Sequence, residues 1–413
     1  MDGSWSKYRL KYVAKISPSV DISNLSEDEE VTFLPMAFIR NGFFIPNSAV
    51  LKNLNSSYNS FQNGDILLAK VTPCFENGNI IIAKNLVNGF GYGTSEIFVI
   101  RADNTKVLNT FLFYLLQEYE FKSYAISDMT GTGGLKRVSS SFISDYCFNI
   151  PSITEQKIII DFLEEKCGQI DDLIENEGKI IVELKEYKKS IIQKEIESKY
   201  HKWERKRFTD VFELGKGLNI TKADLQDEGI AVVSYGEIHS RYGRVVNPDI
   251  HELKFVKEEY LTTDNKSLLK YGDFIYADTS EDLEGSGSFT FLDSQTPIFA
   301  GYHTIIARPK IEVDFIFLSF LCDSYIIRSK IQSQVTGIKV FSITKGLLKN
   351  VDMWLPSLPE QKSIGAYLNK KSKAIDNLIA VKQQKISELK EYKKLLIYEY
   401  VTGKKQLPIK DKI

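Results

Sequence analysis

A stretch of seven residues, ELKEYKK, occurs twice in this chain of 413 residues, at 183–189 and again at 388–394. The likeness extends back without a gap, so that residues 150–192 align with residues 355–397 and about half of the positions are identical. Such a match in one register indicates an internal duplication, and a repeat decides how the rest of a chain is interpreted. We therefore predict an architecture with a pseudo-twofold internal repeat.

Both repeated segments have the pattern of a long helix, predicted over residues 153–198 and 358–403, with Gly168 as the expected weak point of the first. Each begins with a capping box, Ser152-x-x-Glu155 and Ser357-x-x-Glu360, in which side chains satisfy unpaired backbone donors. Apolar residues then recur at helical spacing in one narrow stripe, which favours two helices packed on each other as a coiled coil. The alternative is two amphipathic helices that cover separate cores. The stripe residues expected at the helix-pair or partner interface are Ile170, Leu173, Leu184, Tyr187, Ile375, Leu378, Leu389 and Tyr392.

The segments in front of the two helices repeat a second plan, more faintly. NGDILLAK at 63–70 matches YGDFIYAD at 271–278, and each is followed by further strand-like runs, an aromatic helix and a TG-containing loop before a closing strand. The first aromatic helix is predicted over residues 109–126. The framework recurs while the loops differ, which suits a protein that recognises two different ligands with one scaffold. Neutral drift of the loop sequences would look the same. The predicted fold class is α+β, with two similar α/β domains and two long helices that form an antiparallel coiled coil; the predicted segments are residues 1–150, 151–200, 201–355 and 356–413.

Composition excludes few classes of partner. The chain carries 53 basic and 54 acidic residues, so that overall charge argues neither for nor against nucleic acid. No apolar run approaches the 18 or so residues that span a membrane, and the polar start has no signal-peptide pattern. Four cysteines without metal-ligand spacing predict free thiols in a reducing cytoplasm: Cys74, Cys147, Cys167 and Cys322.

The order domain, helix, domain, helix resembles the specificity (S) subunit of type I restriction–modification enzymes over essentially the whole chain. This resemblance implies two target-recognition domains that each read half of a bipartite DNA sequence. It also implies that methyltransferase (modification) subunits dock on the antiparallel helices and that a restriction/translocase subunit completes the enzyme. The resemblance further implies that the methyltransferase binds S-adenosylmethionine and methylates adenine, and that the restriction subunit binds ATP and Mg, with no cofactor in this chain. The residues that carry the resemblance are Pro151, Glu155, Gln156 and Lys157 with their copies Pro356, Glu360, Gln361 and Lys362, the Ile-Asp-x-Leu-Ile runs at 170–174 and 375–379, and the TG loops.

Motifs for catalysis within the chain are weak. No Asn/Asp-Pro-Pro-aromatic string of an adenine methyltransferase and no P-loop lysine motif occurs, and the glycine runs lack a strand–glycine–helix setting. Asp249, Glu252 and Lys254 lie too close together to resemble a nuclease core, and the four histidines are scattered. We therefore predict a non-catalytic DNA reader. The alternatives are a coiled-coil scaffold or adaptor without DNA readout, and an enzyme in the β-rich domains.

Loop residues with the right chemistry are the candidates for DNA contact. Arginine and lysine suit guanine edges and phosphates, whereas asparagine and glutamine suit adenine. For every candidate the alternative is a solvated loop side chain. The acidic loop 278–288 either approaches a cytosine amino group or points away from DNA. The predicted DNA-binding residues are Arg40, Asn41, Lys70, Thr72, Lys136 and Arg137 in the first domain and Tyr235, His239, Arg241, Arg244, His303 and Lys339 in the second.

Overall fold

The chain divides into two compact units. The computed structural model describes residues 5–54, 57–132, 134–335, 337 and 340–407. Unit 1 comprises Met1–Gly178 with Gln384–Ile413, and unit 2 comprises Lys179–Gln383. Each unit therefore combines one β-rich domain with part of both long helices.

The two long helices have the predicted bounds to within two residues. They run over Ile153–Glu197 and Leu358–Val401 and contain 45 and 44 residues. Gly168 lies inside the first helix, where a side chain would meet open space, and the helix continues through it. The expected weak point is therefore no break.

Unit 1 contains a four-stranded main sheet that is antiparallel throughout. A second four-stranded sheet packs against it, and its central strands Glu30–Leu34 and Phe90–Gly93 are parallel. The strands, in sheet order, are Ala14–Ile16, Ile97–Ala102, Ile66–Ala69 and Ile80–Ile82 in the main sheet, Ser48–Val50, Glu30–Leu34, Phe90–Gly93 and Asn59–Gln62 in the second sheet, and the pair Ser6–Arg9 and Cys147–Ile150. The shorter helices are Asn109–Leu115, Tyr119–Asp128 and Ser140–Asp145.

Unit 2 repeats this topology. Its main sheet has the same strand order with one additional strand. Its second sheet has three strands and keeps the parallel pair, Ile230–Val233 with Ile298–Ala300. The strands, in sheet order, are Phe212–Leu214, Thr304–Pro309, Phe274–Ala277, Phe289–Leu292 and Val245–Val246, then Lys254–Val256, Ile230–Val233 and Ile298–Ala300, then the pairs Thr279–Ser280 with Phe341–Ser342 and Glu204–Arg207 with Asp352–Leu355. The shorter helices are Phe208–Val211, Tyr235–Ser240, Tyr260–Thr263, Phe315–Asp323, Tyr325–Gln332 and Lys345–Lys349.

The aromatic segment 109–126 forms two helices where we predicted one. The first ends at Leu115 and the second begins at Tyr119. The carboxylate of Glu118 accepts a hydrogen bond of 2.8 Å from the backbone amide of Phe121 and so caps the second helix. Unit 2 breaks at the corresponding place, before Tyr325.

The main-sheet strands are apolar on both faces because both faces are covered. In unit 1, Ile66 and Leu68 belong to the core that the long helices complete, whereas Leu67 belongs to the core beneath the second sheet. In unit 2, Phe274 likewise belongs to the core that the long helices complete, and Ile275 belongs to the core beneath the second sheet. A continuous apolar run such as ILLA is the pattern of a strand in that position.

Each main sheet also buries one ion pair. Asp65, whose side chain is 1% exposed, is held by Nε and Nη2 of Arg101 at 2.7 and 2.8 Å. Asp273 of unit 2 is held by Arg308 at 2.6 Å. A buried carboxylate is costly unless paired, so the repetition indicates a framework contact present in both copies.

The E-Q-K motif joins each long helix to its domain. In unit 1 the indole N–H of Trp5 donates to the carboxylate of Glu155 at 3.1 Å, and the Ser152 hydroxyl accepts from the Glu155 amide at 3.3 Å. Of the two hydrogen bonds of the predicted capping box, the one from the Glu155 amide to Ser152 is present, while the Glu155 carboxylate contacts the Trp5 indole. Unit 2 repeats the indole contact between Trp203 and Glu360 at 3.3 Å.

The buried glutamine of the motif bridges the helix to the loop in front of the aromatic helices. The side-chain oxygen of Gln156 accepts from the amide of Leu108 at 2.7 Å, and its nitrogen donates to the carbonyls of Lys106 and Pro151. Gln361 in unit 2 accepts from the amide of Asp314 at 3.0 Å in the same manner. The glutamate and the glutamine of the repeated motif therefore both have a structural role, which is to attach the start of the long helix to its domain.

The helices pair antiparallel within each unit. In unit 1 the carboxylate of Asp171 lies 2.7 Å from the ammonium of Lys393, and the ring centres of Phe162 and Tyr400 lie 4.7 Å apart. The earlier residue of the first helix thus pairs with the later residue of the second, which is the antiparallel arrangement. In unit 2, Lys188 meets Asp376 at 2.6 Å. The predicted interface residues divide by exposure: Ile170 and Ile375 are buried, Leu184 and Leu389 are half-buried, and Leu173, Tyr187, Leu378 and Tyr392 are exposed.

Candidate nucleic-acid interface

Three loops meet at one end of the unit 1 main sheet, and we call this place the loop edge of unit 1 (residues 69–72, 94–96 and 134–138). They converge because one central strand ends at Ala69 where its neighbour begins at Ile97. The amide of Lys70 donates to the Glu96 carbonyl at 2.8 Å, and the amide of Val138 donates to the Lys70 carbonyl at 3.0 Å. Backbone hydrogen bonds therefore fix the positions of the side chains at this edge.

Four of the six residues predicted for the first domain lie at this loop edge. The ammonium of Lys70 donates to the Ser95 carbonyl at 2.8 Å and lies 4.7 Å from the ring centre of Phe98. The hydroxyl of Thr72 accepts from the Lys136 amide at 3.0 Å, and the Lys136 side chain is exposed. Partial burial lowers the pKa of Lys70. The edge thus presents cations on a backbone that hydrogen bonds hold in place.

Arg137 is the fourth of these residues and is oriented by Glu96. Its Nε and Nη2 donate to the two carboxylate oxygens at 2.8 and 2.9 Å. The contact holds the pKa of Glu96 below its ordinary value and raises that of Arg137. A bidentate pair of this kind fixes the guanidinium plane.

Arg40 and Asn41 belong to a neighbouring hairpin at the same end of the sheet. The amide of Arg40 donates to the Phe43 carbonyl at 3.0 Å, and Asn41 forms a bridge with Ile80, the first residue of a main-sheet strand. The side chains of Arg40 and Asn41 are exposed. All six predicted residues of the first domain are therefore brought to one end of unit 1.

The loop edge of unit 2 consists of residues 277–280, 301–303 and 341–343, and it is rich in aromatic rings and histidine. The ring of Tyr235 lies 5.3 Å from that of His303, and Nδ1 of His303 lies 3.1 Å from a carboxylate oxygen of Asp278. Nε2 of His239 lies 2.9 Å from the carbonyl oxygen of Thr279. Three of the residues predicted for the second domain, Tyr235, His239 and His303, are thus clustered.

The remaining candidates of the second domain lie elsewhere. Arg241 is exposed at the end of the helix Tyr235–Ser240. Arg244 lies over the ring of Phe320 at 3.9 Å and 3.5 Å from Asp323, and burial lowers its pKa. It lines a cavity of about 420 Å³ together with Lys188, Arg328 and Asp376, against the helices of unit 2. Lys339 lies outside the described residues.

Three residues at the loop edges were not among the predicted DNA contacts: Glu96, Tyr302 and Asp278, although Asp278 begins the acidic loop 278–288 that was expected either to approach a cytosine amino group or to point away from DNA. A signal for two of them was present, since aligning NGDILLAK with YGDFIYAD places Lys70 on Asp278, and aligning the next strands places Glu96 on His303. Polar residues directly after a buried strand are the natural place to look for a site.

Among the described residues there is no cluster of three or more His, Cys, Asp or Glu side chains that could hold a metal. The described helices also include none that is long and apolar enough to cross a membrane.

Comparison with known proteins decides the family. The model of the type I restriction modification DNA specificity domain matches residues 3–186 and again residues 200–391. The chain belongs to this family. Both copies of the internal repeat are therefore specificity domains.

Relatives of the family align over different lengths. The type I restriction enzyme MjaVIII specificity subunit of Methanocaldococcus jannaschii is 24% identical over 96% of this chain and 90% of its own length. The EcoAI and EcoEI specificity subunits of Escherichia coli are 34% and 33% identical over 40% and 38% of this chain. The matches span only 29% and 26% of those two relatives.

Two solved structures share the fold. One, from work on complex assembly and conformational transition of the type I R-M system, has a TM-score of 0.76 at 16% identity and covers 97% of this chain and 98% of its own. The HsdS subunit from Thermoanaerobacter tengcongensis has a TM-score of 0.55 at 16% identity and covers 98% of each chain. The chain therefore shares its α+β fold, with two domains and two long paired helices, with both of these structures.

Proposed function

We propose that this chain is the DNA-specificity subunit of a type I restriction–modification system and that its two units read the two halves of a bipartite target. The observation that carries the proposal is one framework with two loop edges of different chemistry. The strand order of the main sheet and its buried ion pair recur, whereas the side chains at the loop edge do not. Membership of the specificity-domain family supports the same conclusion.

The charges at the loop edge of unit 1 suit a DNA surface. Lys70, Lys136 and Arg137 are accompanied there by a single carboxylate, Glu96, and Arg40 lies on the adjacent hairpin. Lysine and arginine supply phosphate contacts, and arginine also reads guanine. Because the net charge of the whole chain is −1, the binding surface is local rather than general.

The helix pair is the proposed docking place for the methyltransferase subunits. Each unit leaves one leucine and one tyrosine of the repeated stripe exposed, Leu173 with Tyr392 in unit 1 and Leu378 with Tyr187 in unit 2. These are corresponding positions of the repeat, so two copies of one partner would meet the same surface twice. In this proposal the chain is not catalytic: the partner methyltransferase binds S-adenosylmethionine, and a restriction subunit uses ATP and Mg.

The test is selection from a random duplex library by the full-length chain purified with its cognate methyltransferase subunit. The expected result is enrichment of one asymmetric sequence made of two short specific parts with an unspecified spacer. Binding that falls steeply with salt and enriches no sequence would be non-specific. That result would favour the adaptor without DNA readout.

A further inference from the structure

The two loop edges correspond hydrogen bond for hydrogen bond. In unit 1 the Lys70 amide donates to the Glu96 carbonyl at 2.8 Å, and the Val138 amide donates to the Lys70 carbonyl at 3.0 Å. In unit 2 the Asp278 amide donates to the His303 carbonyl at 3.0 Å, and the Ile343 amide donates to the Asp278 carbonyl at 2.8 Å. Lys70 thus occupies the position of Asp278, and Glu96 that of His303.

A third position completes each set. Arg137 directly precedes Val138, and Ser342 directly precedes Ile343, so these two residues correspond as well. Arg137 grips Glu96 with two hydrogen bonds, whereas the Ser342 hydroxyl donates to the Asp278 carbonyl at 3.4 Å. We call Lys70, Glu96 and Arg137 the first triplet and Asp278, His303 and Ser342 the second triplet.

The backbone is preserved at these positions while the charge is inverted. A lysine becomes an aspartate, a glutamate becomes a histidine, and an arginine becomes a serine. The ion pair at the opposite end of the same strands, Asp65 with Arg101 or Asp273 with Arg308, keeps its residue types. Positions that stabilise the framework keep their chemistry in both copies, so the framework does not dictate the inversion in the triplets.

We propose that the two triplets are corresponding specificity-determining positions, the first reading a base edge rich in acceptors and the second a base edge that offers an amino group. This inference rests on the proposed function. In the major groove guanine presents two acceptors, whereas cytosine and adenine present amino donors. The two half-sites then differ in donor and acceptor pattern at the base that each triplet meets.

The geometry of the first triplet suits an acceptor edge. Glu96 engages Nε and Nη2 of Arg137, which leaves the hydrogens of Nη1 and the second hydrogen of Nη2 facing away from the carboxylate. These form a fork that matches the O6 and N7 atoms of guanine. Glu96 acts as a positioning residue, because the fork would otherwise rotate freely.

The geometry of the second triplet suits a donor. His303 and the Thr279 hydroxyl both contact Oδ1 of Asp278, at 3.1 and 2.8 Å. Within the described residues Oδ2 receives no hydrogen bond from the protein and can accept one from a base amino group. Asp278 is 27% exposed, so a base edge can reach it.

The test exchanges one triplet and leaves the other alone. The full-length triple variant Lys70→Asp, Glu96→His, Arg137→Ser is purified with the methyltransferase subunit, and its target is selected from the random duplex library. The matched control carries Lys11→Asp, Asp145→His and Arg9→Ser. These three side chains form an exposed cluster with the same charges, one lysine, one arginine and one carboxylate, on the same unit and outside the loop edge.

The expected result is a changed base preference within one half-site, with on the order of tenfold weaker binding to the original sequence. The second half-site and the spacer stay as in the wild type, which also shows that the variant is folded. The control keeps the original target. Selection of the original sequence by the triple variant would overturn the inference.

A second variant addresses the other triplet with minimal change of shape. Asp278→Asn replaces one acceptor by a donor and is expected to relax or alter a single position of the other half-site. An unaltered second half-site in Asp278→Asn would also overturn the inference. Failure of the proposed function looks different, because the wild-type protein itself would then select no bipartite sequence.

Discussion

The ammonium of Lys385 lies 2.7 Å from a carboxylate oxygen of Glu177, where the two long helices pass each other in unit 1. The Glu177 side chain is 7% exposed, whereas Lys385 is half exposed. The sequence interrupts the apolar stripe of the first helix at Glu177 and that of the second at Lys382, with Lys385 one turn on. An acid on one helix that meets a base on the other favours a single register of the pair.

Reversing this acid is the first prediction. Glu177→Lys should lower the free energy of unfolding by about 1–3 kcal/mol, because a second cation then sits beside Lys385 in a partly buried place. Adding Lys385→Glu should restore most of the loss. Denaturant unfolding measures both, and Glu183→Lys on the exposed face of the same helix is the control. A double variant no more stable than Glu177→Lys would rule out direct pairing.

The buried glutamine of the E-Q-K motif gives the second prediction. Gln156→Ala removes the acceptor of the Leu108 amide and the donor to two carbonyls, so buried backbone groups lose their partners. Each unsatisfied group costs about 1–3 kcal/mol, and a marked fall in the denaturation midpoint is expected. Lys157→Ala, at the exposed neighbour, should leave the midpoint nearly unchanged. Equal midpoints for the two variants would contradict this role.

The sequence predicted the repeated helices because their pattern is local. Spacing of apolar residues and the identical ELKEYKK segments need no knowledge of distant contacts. The roles of the glutamate and glutamine in the E-Q-K motif were harder to predict, since the contact of Trp5 with Glu155 joins residues 150 positions apart along the chain. Glu155 therefore resembled an ordinary capping residue. The interruption of the aromatic helix before Tyr119 could not be seen either, because the apolar residues of 109–126 have the pattern of one continuous helix.

The candidate site was predictable as a set of loops, and less so as individual side chains. Strand ends locate the loops, so the sequence could place Lys70, Arg137 and His303 in loops at the ends of strands, while their contact with DNA stays a prediction. Arg244 is also an arginine in a loop and was chosen for the same reason, but its position over the ring of Phe320 depends on the tertiary structure. The correspondence of Glu96 with His303 follows from aligning the two strands, and the backbone hydrogen bonds of both units agree with it.

Cysteine reactivity is the third prediction. Burial raises the pKa of the Cys322 thiol to about 12 and also raises that of Cys167, and both side chains are buried. The thiolate is the reacting form, so at about pH 8 these two should react slowly with a thiol reagent. Cys74 and Cys147 are partly exposed and should react first.

The measurement is titration with a chromogenic disulfide before and after unfolding. Two thiols are expected to react rapidly in the native protein and all four in denaturant. The variant Cys74→Ser should reduce the rapid phase by one thiol. Rapid reaction of all four thiols in the native protein would contradict the burial of Cys167 and Cys322.

The exposed lysine at the loop edge of unit 1 gives the fourth prediction. Lys136 is expected to contact a phosphate rather than a base, because its backbone is held by Thr72 while its side chain extends into solvent. Lys136→Ala should weaken binding to all sequences alike and reduce the salt slope of log K by about 1. Binding at several salt concentrations measures this, with Lys15→Ala as an exposed control. A change of base preference would instead make Lys136 a base-reading residue.

Genome-wide mapping of methylated adenines tests the central claim most directly. The full-length chain and its cognate methyltransferase are coexpressed in a strain without other adenine methylation, and all newly methylated sites are sequenced. Two different loop edges on one duplicated framework predict a single bipartite sequence with unlike halves and a fixed unspecified spacer. Absence of new methylation, or methylation at one continuous sequence, would contradict the account.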